Sequence, residues 1–142
     1  MIQPPGLPCT SRLWLLLGAL NALLSVAAGA YGRHGAMEPA GREMFGIASQ
    51  YQMTHGLALL AVAWLASRGG GWRSAASIAG AAFALGIVLF SGTLYAFGVT
   101  GLVPVEGAAP AGGFLMMAGW LALVCGAVWR HRPSPDGTSH RA

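Results

Sequence analysis

Gln52 and His55 stand one helical turn apart in the stretch YQMTHGLALL (51–60), within an otherwise greasy segment. A carboxamide and an imidazole at that spacing can serve a proton relay, hold a haem or metal, or hydrogen-bond a neighbouring helix. The first two uses need company. A relay needs further titratable groups at the same depth, and the long apolar runs of this chain contain no Asp, Glu, Lys or Arg. Axial haem ligation could call only on His34, in GRHGA (32–36), which lies about two helical turns away in depth with no further ligand type beside it. Cys9 and Cys125 have no CxxC spacing and lie in dissimilar surroundings, so neither a disulfide nor a cysteine metal site is expected. No nucleophile stands beside a base, and neither HExxH nor a phosphate-cradling glycine loop occurs. The residues therefore point to a non-enzyme with no catalytic residue, no cofactor and no metal, in which Gln52 and His55 join helices.

The elements that must position them follow from composition. The chain has 142 residues, of which 55% are hydrophobic and 8% charged, against about 25% charged in ordinary soluble domains. Charge-free runs cover residues 13–31, 44–66, 75–98 and 111–129. Each is long enough to cross a hydrocarbon layer of about 30 Å as a helix. The second is the least apolar, since its first half holds Ser49, Gln50, Gln52, Thr54 and His55. The expected fold is an all-α membrane protein, four transmembrane helices in an up-and-down bundle, with flexible tails over residues 1–12 and 131–142. The first run is read as a retained helix and not a cleaved signal, because Gly18, Asn21, Ser25, Gly29 and Gly32 recur at spacings of three and four and line one face. Pro39 is suited to begin a surface helix that runs into the second span. Pro110 with Gly112 and Gly113 could start the fourth span or shape a re-entrant turn.

With four spans, Arg12, Arg68, Arg73, Arg130, Arg132 and Arg141 share one side and only Arg33 and Arg42 the other. The bias of arginine toward the cytoplasm then places both termini inside. Trp14, Trp64, Trp72 and Trp129 fall at the same ends, as an interfacial belt would, while Trp120 lies within the fourth run. All eight basic residues are arginines at segment ends, which gives no stripe for nucleic acid. The lipid bilayer is the expected partner, and a membrane-protein partner or a homo-oligomer is left open.

On a helix Ala48, Tyr51, Gln52 and His55 fall within an arc of about 100°, so one face of the second run is polar. Depth along the spans pairs this face with Asn21 and Ser25, and Asn21 to His55 or Ser25 to Gln52 bonds are expected. Ser91 and Tyr95 on the third run complete the candidate intramembrane cluster: Asn21, Ser25, Tyr51, Gln52, His55, Ser91 and Tyr95. Two functions fit such a cluster. One is a structural or accessory protein that binds membrane proteins or lipids; the other is a small transporter or channel with a polar path along Tyr51, Gln52 and His55.

Four motifs occur in order: GAYGRHGA (29–36), YQMTHGLALL (51–60), LFSGTLYAFGVTG (89–101) and PAGGFLMMAGWLAL (110–123). Together they resemble the YgdD-like family of small membrane proteins, classed as domain of unknown function 423, over residues 18–129. Where many members carry Ala-His-Gly this chain has Arg33, His34 and Gly35. The resemblance implies a multi-pass protein of the bacterial inner membrane and brings no assigned activity.

Overall fold

The computed structural model describes residues 7–129. Four helices account for nearly all of them: α1 (Cys9–His34), α2 (Pro39–Ser67), α3 (Gly71–Thr100) and α4 (Ala108–Trp129). Each begins three to five residues before the apolar run that foretold it. Hydropathy marks the part suited to hydrocarbon, whereas a helix continues until its backbone is interrupted. Pro8 caps α1, Pro39 is the first residue of α2, and the positive-φ glycines Gly70 and Gly107 precede α3 and α4. The expected N-terminal tail is thereby corrected, since residues 9–12 form the first turn of α1. Residues 1–6 and the expected C-terminal tail lie outside the described residues. The re-entrant reading of Pro110 to Gly113 also fails, because all four lie in the opening turns of α4.

Short connections make consecutive helices antiparallel. α1 packs on α2, α2 on α3 and α3 on α4; α1 touches α3 only lightly, and α1 and α4 share no substantial contact. The bundle is therefore open, with α2 and α3 as an inner pair and α1 and α4 on its flanks. Three helices, α1, α3 and α4, are long and apolar enough to cross a membrane. α2 is not among them. The polar first half of its run is the reason.

The packing of α2 explains why that polarity is tolerated. Gly41, Phe45, Ala48, Gln52, His55, Leu59, Val62 and Ala66 are all buried, at alternating spacings of four and three. That is a heptad seam, the pattern that keeps one helix face against antiparallel neighbours along its whole length. The flanking helices turn large apolar side chains outward, among them Leu16, Leu23 and Val26 on α1 and Phe114, Leu121 and Val128 on α4.

Each of the three main interfaces closes on a reciprocal pair of glycines. A Cβ on Gly18 would stand 2.8 Å from the Gly56 carbonyl oxygen, and one on Gly56 would stand 3.3 Å from that of Gly18. Between α2 and α3 the pair is Gly41 and Gly98, at 2.8 and 2.9 Å; between α3 and α4 it is Gly86 and Gly112, at 3.0 and 2.9 Å. Lipid gives apolar side chains little reason to associate, so close backbone approach and the dispersion it brings carry much of the contact. Rings occupy the remaining small-residue sites: Phe45 sits between Gly32 and Gly98, Phe83 against Gly119, and Trp14 against Gly80. Trp14 is thus buried between helices and not part of an interfacial belt, whereas Trp64 is exposed with the Arg68 guanidinium 4.8 Å above its ring.

Gly112→Val should lower stability in detergent by about 1 to 3 kcal/mol, the usual cost of overpacking. A Cβ on Gly92 meets nothing within 4 Å, so Gly92→Ala should stay within about 0.5 kcal/mol of the parent. Thermal unfolding of the two variants side by side checks the assignment, and equal losses would contradict it.

Candidate functional site

Gln52 lies half-way along the seam of α2 and is only 7% exposed. Its carboxamide is used at both ends. Its Nε2 donates to Asn21 Oδ1 on α1 at 3.0 Å, and its Oε1 accepts from the Tyr95 hydroxyl on α3 at 2.7 Å. Asn21 Nδ2 in turn donates to the Leu17 carbonyl at 2.9 Å, within its own helix. The result is a directional chain of hydrogen bonds across α3, α2 and α1. Phe45 covers Tyr95, with ring centroids 4.5 Å apart, and Tyr31 covers Phe45 at 5.7 Å.

His55, 5% exposed, faces the other way. Its Nδ1 is 2.9 Å from the Tyr51 carbonyl, and the indole N–H of Trp120 on α4 reaches its Nε2 at 3.2 Å. An indole N–H can only donate. Nε2 must therefore accept, which leaves the proton on Nδ1, where it is donated to the Tyr51 carbonyl. Both nitrogens are satisfied in one neutral tautomer, and a second ring proton would point at the indole N–H. Phe83 fills the space beside this pair, 5.4 Å from His55 and 5.1 Å from Trp120 by ring centroids.

Of the residues expected to cluster, the structure joins Asn21, Gln52 and Tyr95 in one chain of bonds. The pairings expected from depth are corrected. Asn21 meets Gln52 and not His55, because the close approach of Gly18 and Gly56 sets how α1 crosses α2. Ser25 does not reach Gln52; its hydroxyl donates to the Ala22 carbonyl at 2.8 Å, the local bond that short hydroxyl side chains make with their own helix. Tyr51 is 43% exposed and packs on Phe90 at 4.6 Å, with its ring stacked 6.0 Å from that of His55. Ser91 is buried, and its hydroxyl has no hydrogen-bond partner among the described residues. His34 is exposed at the end of α1, and Cys9 and Cys125 are exposed and unpaired. The residue missed by sequence reasoning is Trp120. Its signal was present: a tryptophan away from the belt, with a donor that a membrane interior obliges it to place.

Fold and site together define a small helical membrane protein in which Asn21, Gln52, Tyr95, His55 and Trp120 bond one another between helices. The chain belongs to the family described as "Protein of unknown function (DUF423)", whose pattern matches residues 28–113. It is 38% identical to the UPF0382 membrane protein YwdK of Bacillus subtilis over 120 residues, which cover 82% of this chain and 97% of YwdK. It is 36% identical to the UPF0382 membrane protein SSP2132 of Staphylococcus saprophyticus over 118 residues, 81% of this chain and 96% of that one. With the UPF0382 inner membrane protein YgdD of Escherichia coli it shares 34% identity over 135 residues, 92% of this chain and 98% of YgdD. No solved structure matches the chain.

The bonding pattern predicts a ranking. In a double-mutant cycle, Gln52→Leu and Tyr95→Phe should couple by about 0.6 kcal/mol and by no more than about 1.7, the range measured for bonds inside membrane bundles. Trp120→Phe, which keeps a ring but removes the donor to His55, should destabilise by a similar amount. Ser25→Ala should change stability by less than about 0.5 kcal/mol, because its bond is local. Unfolding in detergent measures all three, and zero coupling between Gln52 and Tyr95 would remove the chain of bonds as a stabilising unit.

Proposed function

We propose that this chain is a four-span protein of the bacterial inner membrane, with both termini cytoplasmic, acting as a non-enzymatic structural or accessory protein through its lipid- and protein-facing flanks. The observation that carries this reading is the closure of the polar cluster. At mid-length of the bundle the Gln52 carboxamide and both His55 nitrogens are bonded to other protein groups and almost fully covered. A conducting path requires such groups to exchange partners with water or cargo. Here their partners are side chains of three other helices and, for His55 Nδ1, the Tyr51 carbonyl of α2 itself.

The same closure supports α2 as the fourth span. An unsatisfied amide or imidazole in hydrocarbon costs several kcal/mol, and α2 presents its own to α1, α3 and α4. Its 29 residues are ample for a hydrocarbon core of about 30 Å. The arginine bias supports the orientation, and the similarity to the inner membrane protein YgdD of E. coli supports the location.

Cysteine labelling tests the reading. In a background with Cys9→Ser and Cys125→Ser, Ser25→Cys should resist a membrane-impermeant maleimide from both sides of the membrane. Glu106→Cys should react in spheroplasts, and Ser67→Cys only after permeabilisation. Reaction at position 25 would favour the transport path along Tyr51, Gln52 and His55, and an inverted pattern at 67 and 106 would overturn the orientation.

A further inference from the structure

Packing requires some glycines of this protein to be bare and not others. At Gly18, Gly41, Gly56, Gly86, Gly98 and Gly112 a Cβ would press on the backbone of a neighbouring helix. At Gly46 a Cβ would meet nothing within 4 Å, and at Gly29 it would meet only the Ser49 hydroxyl, at an ordinary 3.6 Å. Packing does not require these two positions to be bare. What their bareness leaves is a groove of about 350 Å³ between the end of α1 and the start of α2.

The groove has an uneven lining. Arg33, in the last turn of α1, and Arg42, in the first turn of α2, stand at its outer rim. Ser49 and Gln50 lie a turn or two deeper. No acidic side chain lines it, and neither arginine is ion-paired with a described residue; Arg42 makes only a long 3.5 Å bond to the Met37 carbonyl. The Ser49 hydroxyl donates to the Gly46 carbonyl, which leaves its oxygen lone pairs free, and the Gln50 carboxamide is exposed. Two cations at the mouth, hydrogen-bonding groups below them and glycines in the lining form a slot between two helices. On the four-span reading it lies where helices pass from hydrocarbon to headgroups.

We propose that this groove binds the headgroup of an anionic phospholipid, with Arg33 and Arg42 on the phosphodiester, Ser49 and Gln50 on the headgroup hydroxyls or the ester region, and the acyl chains lying along the outer faces of α1 and α2. Paired guanidinium groups suit phosphate oxygens because each presents a planar fork of donors. A net negative charge on the lipid is favoured over a zwitterion, because among the described residues no acidic side chain in the lining offsets the two arginines. The partner is lipid and not free anion, since Phe45 and the bare glycines of the lining offer apolar contact beside the two cations. The inference adds a defined site to the accessory role proposed above. It rests on that reading only for the groove's position at a membrane surface, and it holds for either orientation of the bundle.

The test is lipid retention by the full chain purified in detergent, read by native mass spectrometry and by thermal unfolding. Phosphatidylglycerol, phosphatidylcholine and inorganic phosphate are added separately. The parent should retain phosphatidylglycerol in preference to phosphatidylcholine, with a raised unfolding temperature, and inorganic phosphate should raise it little. Arg33→Gln combined with Arg42→Gln should weaken phosphatidylglycerol retention by about thirty-fold. Gly46→Leu should abolish retention by filling the groove while leaving the lipid-free unfolding temperature unchanged. Equal retention of the two lipids, full retention by the double arginine variant, or an equal shift from inorganic phosphate would each overturn the proposal. None of these outcomes depends on whether position 25 is labelled, so failure here is separable from failure of the sealed cluster.

Discussion

A carboxamide or imidazole held in hydrocarbon without a partner costs several kcal/mol, whereas the bond that relieves it returns about one. That inequality governs the arrangement of this protein. α2 carries Gln52 and His55 and, among the described helices, is the one that falls short of the apolarity of a membrane-crossing helix. It therefore occupies the interior, where α1 supplies Asn21, α3 supplies Tyr95 and α4 supplies Trp120. The bonds do not so much attract the helices as rule out arrangements in which these groups are left alone. Attraction comes from elsewhere, from backbones brought together at the Gly18/Gly56, Gly41/Gly98 and Gly86/Gly112 pairs.

The two devices depend on each other. A carboxamide reaches only a short distance, so Gln52 can touch Asn21 on one side and Tyr95 on the other only if both neighbouring helices come close. The glycine pairs set those approaches, and Phe45 and Phe83 fill what the approaches leave open. Polar specification and close packing are thus parts of one solution. The tautomer of His55 is a by-product: an indole that can only donate, placed against Nε2, determines which nitrogen bears the proton.

Much of this was legible in the sequence, for physical reasons that also explain the gaps. Long stretches without charge announce helices, and residues 44–66 announce that one of them is polar along one face. Asn21, Gln52 and His55 could be named together because depth along a span is nearly linear in residue number, although Ser25, Tyr51 and Ser91, named with them, make no side-chain bond to another helix among the described residues. Partners could not, because depth is one coordinate and the rotation of each helix about its axis is another. Asn21 was matched with His55 on depth, and the crossing at Gly18 and Gly56 turned it toward Gln52 instead. Ser25 needed no partner on another helix, since a hydroxyl can return to its own backbone. Trp120 was visible as an exception to the tryptophan belt and lacked only its acceptor. The helix starts were misjudged because hydropathy reports the solvent of a segment and not the breaks in its hydrogen-bond ladder, which here are Pro8, Pro39, Gly70 and Gly107.

The order of neighbours has a bearing on how the chain comes into being. Because α1 packs on α2, α2 on α3 and α3 on α4, a helix leaving the ribosome finds its main partner already made. Gln52 meets Asn21 from 31 residues behind it, so the polar helix emerges into the company of the group that first satisfies it. Tyr95 follows after another 43 residues. His55 waits longest, since the indole that occupies its Nε2 is synthesised 65 residues later. Completion of the buried polar network thus coincides with arrival of the last helix, and a chain stopped short of Trp120 carries an imidazole nitrogen with no donor.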